Sequence, residues 1–97
     1  MKQAGDPLDA GQRFQLAEEV VLQDFTGKAL LVDLNSERVY QLNESGARVA
    51  RLLVEGQSLG EMLVALDREY QAGPGELERD VQQLLGDLLE QGLIEAR

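Results

Sequence analysis

Apolar positions fall into two regimes along this chain. In the first half they come as short alternating or continuous runs, which suit strands. Val20 to Phe25 predicts a first strand, and Thr26-Gly27-Lys28 supplies a turn. Ala29 to Leu34 predicts a second strand, a nearly continuous apolar run broken by Asp33. Asn35-Ser36-Glu37 is a second turn, rich in residues that bond their own backbone. Arg38 to Leu42 predicts a third strand, with Tyr40 and Leu42 on one face and Val39 and Gln41 on the other. Short links between consecutive strands give an antiparallel meander. Asn43 then offers a side-chain oxygen to the free amides of a helix start, and Glu44 sits where the helix dipole favours negative charge.

In the second half the apolar period lengthens to that of a helix. A first helix is predicted over about 44–54, with Ala47, Val49, Ala50, Leu53 and Val54 on one side and Arg48, Arg51 and Glu55 toward water. Gly46 lacks a side chain in the first turn and leaves room for close packing; Gly56 is a stop. Ser58-Leu59-Gly60-Glu61 is a capping box, in which the Ser hydroxyl bonds the third helical amide and the Glu reaches back to the cap. Leu59, Met62, Leu63, Leu66 and Tyr70 follow at helical spacing. Gly73-Pro74-Gly75 breaks that helix. A third runs over about 76–91, where Leu77, Val81, Leu84, Leu85, Leu88 and Leu89 form a wide apolar stripe. Gly86 inside it costs about 1 kcal/mol of helix propensity relative to Ala, so close packing is expected there. Gly92 ends the helix and Leu93-Ile94 returns to the core. Residues 1–13 are polar, with Gly5, Pro7 and Gly11, and are expected to form a flexible arm before a single domain over 14–97. Phe14 and Leu16 either tuck against the sheet or lie in a loop. The expected fold is α+β: three antiparallel strands, then three helices covering one side of the sheet, then a short extended tail.

Composition narrows the chemistry. The 97 residues hold no Cys and no His, which removes disulfides, thiolate nucleophiles, Ser-His chemistry and the commonest metal ligands. Neither a metal nor a cofactor is expected. The net charge of -9 repels nucleic acid and anionic membranes and suits a partner with basic residues. Hydrophobic residues make up 43% of the chain and Trp is absent, so the core is mostly Leu and Val. No apolar run reaches the roughly 18 residues of a membrane span, and the N-terminus lacks the apolar core of a signal peptide. The expected location is cytoplasmic.

Few residues compete for a chemical role. The carboxylates Glu18-Glu19, Glu76, Glu78, Asp80, Asp87 and Glu90 read as a solvated acidic face, with no His or aromatic cleft around them to support acid-base work. Ser58 sits in Gln57-Ser58-Leu59 and lacks the Asp-Ser-Leu triplet at which acyl carriers attach their cofactor; capping explains it. Tyr40 is either core or part of a peptide-contact surface. The outer edge of the third strand, with a helix of the C-terminal half, is expected to make a peptide-binding groove. The margin of the third helix, at Leu84, Leu88 and the flanking Asp80, Gln83 and Asp87, is a candidate wall.

The chain resembles the PqqD-like proteins, the precursor peptide recognition elements of ribosomally made natural products (RiPPs). The matching stretches are Leu30-Leu31-Val32-Asp33-Leu34, then Val39-Tyr40-Gln41-Leu42-Asn43-Glu44-Ser45-Gly46-Ala47, Leu52-Leu53 and Gly56. A Ser-capped helix ending at Tyr70 follows, then Asp80-Val81, Leu84-Leu85, Leu88 and Gly92-Leu93-Ile94. The resemblance runs from about residue 14 to 95. It implies a small winged helix-turn-helix-like domain that is not an enzyme. Such a domain binds the leader segment of a precursor peptide and presents it to a modifying enzyme, such as a radical SAM protein, a cyclodehydratase or a lasso-peptide protease. By the same resemblance the leader adds as a strand to Arg38, Val39, Tyr40, Gln41 and Leu42, against a helix wall of Asp80, Gln83, Leu84, Asp87 and Leu88. Some relatives associate with themselves, so a homodimer is possible. The acidic helix would favour a leader carrying Lys or Arg. The competing reading is a winged-helix nucleic-acid-binding or regulatory domain, whose groove-reading helix here would carry Arg79 against five carboxylates, the wrong sign for phosphate contacts.

Overall fold

The computed structural model describes residues 9–26, 28–71, 73 and 75–97. The element order is β1 (Phe14–Leu16), β2 (Val20–Phe25), β3 (Lys28–Asp33), β4 (Arg38–Leu42), α1 (Glu44–Val54), α2 (Leu59–Glu69), α3 (Glu76–Glu90) and β5 (Ile94–Ala96). Strands β2, β3 and β4 form the expected antiparallel meander, with β4 at one edge. The predicted third strand is thus β4. The turn residue Gly27 and the helix-breaking Pro74 lie outside the described residues.

The sheet buries one face. Val20, Ala29, Leu31 and Leu42 point inward and join Val49, Leu53, Met62, Leu66, Val81, Leu85 and Leu88 from the helices in one core. Arg51 Nε of α1 lies 3.3 Å from Asp24 Oδ2 of β2, a charge contact whose geometry is not that of a hydrogen bond. Val54, expected on the apolar side of α1, is exposed. It follows Leu52 and Leu53, which already fill the core-facing side of the last turn, so the helix rotation carries Val54 to solvent.

A second sheet was not expected. Phe14–Leu16 pairs antiparallel with Ile94–Ala96, placing Phe14 opposite Ala96 and Leu16 opposite Ile94. Backbone bonds extend the ribbon at both ends, from Arg97 N to Arg13 O at 2.9 Å and from Ala17 N to Leu93 O at 3.0 Å. The helical half therefore ends in a strand, and Phe14 is among the most buried side chains of the core.

Caps fix the helix ends. Asn43 Oδ1 accepts the Gly46 amide at 2.9 Å. The Ser58 capping box is complete: Ser58 Oγ accepts the Glu61 amide at 3.2 Å and Glu61 Oε1 accepts the Ser58 amide at 2.7 Å. The two remaining first-turn amides of α2 donate to the preceding chain, Leu59 to Gln12 O at 2.9 Å and Gly60 to Ala10 O at 2.7 Å. Residues 10–13, inside the segment expected as an arm, are held this way and by the Arg13 guanidinium, which bonds Gly56 O and lies 3.1 Å from Glu61 Oε1. Residues 1–8 of that arm lie outside the described residues. Gly92, at a φ of 75°, closes α3: its amide bonds Leu89 O, the next amide bonds Leu88 O, and the chain turns directly into β5.

Candidate functional site

The position of one hydrogen bond fixes which peptide groups of β4 are free. Leu34 donates its amide to Glu19 O across the β2–β3 ladder at 2.8 Å. In an antiparallel pair hydrogen-bonded residues alternate with non-bonded ones. Counting back from Leu34, Val32 and Leu30 also direct their peptide groups to β2, leaving those of Ala29, Leu31 and Asp33 for β4. Their partners there are Leu42, Tyr40 and Arg38. The amides and carbonyls of Val39 and Gln41 consequently point away from the sheet, and among the described residues neither is paired. The side chains follow the same alternation: Tyr40 and Leu42 turn to the helical side, while Val39, 57% exposed, and Gln41 turn outward.

Beside this edge lies a groove of about 540 Å³. One wall is β4 and the start of α1, with Tyr40, Gln41, Leu42, Asn43, Ser45 and Gly46. The other is α3, with Leu77, Asp80, Val81, Gln83, Leu84 and Asp87. Val49, Leu66 and Tyr70 close the floor and one end. At the opposite end strand and helix are clasped, since Arg38 donates to both the side-chain and backbone oxygens of Gln91, at 3.0 and 2.9 Å.

Seven of the ten residues expected at the site line this groove: Tyr40, Gln41, Leu42, Asp80, Gln83, Leu84 and Asp87. Val39 is on the same edge but turns its side chain to the outer face. The Arg38 guanidinium is engaged in the clasp on Gln91. Leu88 does not form the wall. It is 1% exposed and packs in the core, because Val81, Leu85 and Leu88 make up the inward row of α3 and the groove takes the neighbouring row through Leu77, Leu84 and Asp87.

Several lining residues were not anticipated. Val49 of α1, Tyr70 at the C-terminal cap of α2 and Leu77 of α3 meet only when the helices pack, so each looks like ordinary core in sequence. The close packing expected at Gly46 is present, and its space is taken from within. A Cβ there would meet Asn43 Oδ1 at 3.2 Å and Leu42 Cδ2 at 3.3 Å, so the glycine lets α1 begin tight against β4. Tyr70 follows an anchored residue: Glu69 accepts three hydrogen bonds from the Arg48 guanidinium of α1, at 2.8 to 3.0 Å, which hold the Glu69 carboxyl below its usual range. Among the described residues no group of three or more carboxylates is arranged to hold a metal ion. No described helix is long and apolar enough to cross a membrane.

Two solved structures share this architecture. One is TbiB1 in complex with the TbiA(beta) leader peptide, with a TM-score of 0.78 and 27% identity, over 84% of this chain and 94% of that one. The other is lasso peptide synthetase B1 complexed with the leader peptide, with a TM-score of 0.77 and 28% identity, over 86% of this chain and 98% of that one. No curated protein matches the sequence significantly. The family model for coenzyme PQQ synthesis protein D (PqqD) matches residues 28–94, which include β3, β4, all three helices and therefore both walls of the groove. A match over this much of the sequence, on the elements that build the site, establishes that the chain belongs to the PqqD family.

Proposed function

We propose that this chain binds the leader segment of a ribosomally made precursor peptide and presents it to a separate modifying enzyme, without catalysing a reaction itself. The observation that carries this reading is the free edge of β4, with the peptide groups of Val39 and Gln41 directed into solvent beside the groove. An extended guest completes that edge as a further strand, gaining affinity from main-chain bonds and specificity from the side chains it lowers between strand and helix. The two leader-peptide complexes of similar fold support the choice of guest. The peptide-contacting residues on this reading are Val39 and Gln41 through their backbone, and Tyr40, Asp80, Gln83, Leu84 and Asp87 through their side chains.

The modifying enzyme acts in trans on this reading, and a radical SAM protein, a cyclodehydratase and a lasso-peptide protease are the classes the family suggests. The test is a titration of the folded chain with the leader of a precursor peptide encoded beside it, followed by anisotropy and by amide NMR. Saturable binding that shifts the Val39 and Gln41 amides is expected. A folded chain that leaves both amides unmoved at saturating leader would refute strand addition.

A further inference from the structure

The groove carries charge of one sign. Its ionisable acidic lining residues are Glu76, Asp80 and Asp87, and among the described residues no Lys or Arg lines it. Glu76 accepts the Gly73 amide at 3.0 Å, whereas Asp80 and Asp87 have no hydrogen bond or ion pair among the described residues. Among the nearby arginines, Arg48 is engaged on Glu69, Arg51 lies against Asp24 and Arg38 is engaged on Gln91, while Arg68 and Arg79 are outside the lining. Between the two free carboxylates the wall is apolar at Leu84, and Tyr40 lines the β4 wall of the same groove.

Spacing converts this wall into a pattern. Asp80 and Asp87 stand seven residues apart on α3, about 10.5 Å along the axis. A strand added to β4 turns every second side chain into the groove, beside Tyr40 and Leu42, at intervals of about 6.8 Å. Side chains four residues apart are then separated by about 13.6 Å, and the flexible stems of Lys or Arg take up the difference. The groove-facing residue midway between them meets Leu84 and Tyr40.

We infer that the groove selects a guest segment with two basic side chains four residues apart and an apolar residue midway, all on one strand face. This rests on strand addition as proposed above, and adds the chemistry of the guest. Asp80 and Asp87 are the specificity-determining residues.

The test uses the full chain and three synthetic nine-residue peptides built on threonine. The first places two lysines four residues apart around a central leucine. The second has glutamates in place of both lysines. The third moves the lysines next to the leucine, onto the opposite strand face. Anisotropy gives affinity and amide NMR shows whether Val39 and Gln41 respond. At low salt the first peptide should bind about tenfold more tightly than the second, the range expected for two exposed ion pairs gained against two repulsions. It should also bind more tightly than the third. The preference should fade at high salt and in the double variant Asp80→Asn, Asp87→Asn. Both positions are exposed, and circular dichroism verifies that the variant folds. Equal binding of the three peptides with both amides responding would overturn the pattern and leave strand addition standing, as would a preference that survives in the double variant. If no peptide moves either amide while a precursor leader does, the pattern alone is overturned; if the leader leaves both unmoved as well, strand addition fails and the pattern falls with it.

Discussion

Gly86 sits in the C-terminal half of α3, exposed, and beyond the helix's own backbone no atom of the described residues lies within 4 Å of the place a Cβ would take. The close packing expected of it from sequence is absent, so the residue only weakens the helix. Gly86→Ala should raise stability by about 1 kcal/mol in urea unfolding and leave peptide affinity unchanged, since Gly86 is outside the groove lining. A destabilised variant would contradict this. Carboxylates set a second residue-scale effect. Asp33 is held below its usual range by the Ser36 amide above all, Glu61 by the Ser58 amide, and Glu69 by the Arg48 guanidinium. Each binds its proton less readily when folded than unfolded. The stability each contributes is therefore complete above the ordinary carboxylate values of 4.5 for Glu and 3.8 for Asp, and is lost as pH falls through the lower folded values. Glu61→Gln keeps an acceptor for the Ser58 amide but gives up the charge facing Arg13. It should melt below the parent at pH 7, with the gap closing as the parent's Glu61 protonates; a gap that is constant with pH would rule the account out.

At the scale of elements, much was legible because the signals are local. Alternation marked the meander, Ser58-Leu59-Gly60-Glu61 marked α2, and Gly92 marked the end of α3. The walls of the groove were legible only in part. A stripe holding Leu84, Leu85, Leu88 and Leu89 fits a core at more than one rotation, and helical periodicity alone does not say which row the neighbours cover; the periodicity therefore allows Leu88 on the wall, whereas packing puts it in the core. The hydrogen-bond phase of β4 gives the sharpest element-scale prediction. Proline at Val39 or Gln41 removes an outward amide and no ladder bond, a position edge strands tolerate. Each variant should fold and lose one guest bond, about 0.5–1.5 kcal/mol or roughly two- to tenfold in leader affinity. Proline at Tyr40 removes the bond to Leu31 and should abolish the cooperative transition instead. Unchanged affinity in both edge variants would exclude main-chain pairing.

The whole molecule depends on a contact that no local pattern announces. Strands β1 and β5 are three residues each, nearly eighty positions apart in sequence, and too short for alternation to distinguish them from loop. Their pairing nonetheless seats Phe14, and it carries Arg13 to the Ser58 end of α2 while Gly92 brings α3 into the same ribbon. The ribbon thus fixes the outer ends of both α2 and α3, the two helices that supply Leu66, Leu77, Leu84 and Asp87 to the groove. Removing residues 94–97 touches no lining residue, yet it uncovers Phe14 and leaves the amides and carbonyls of β1 without partners. Phe14→Ala alone, a large-to-small change at a site 1% exposed, should cost about 3–5 kcal/mol. That is a large share of the 5–15 kcal/mol typical of a domain. The truncated chain should lose both its cooperative unfolding transition and leader binding, whereas Phe14→Ala should unfold at lower urea and recover near-parental affinity in conditions where it is folded. Urea curves read alongside anisotropy at low temperature separate the two. A truncated chain with parental midpoint and affinity would show that the three-stranded sheet and three helices hold the groove open without the ribbon.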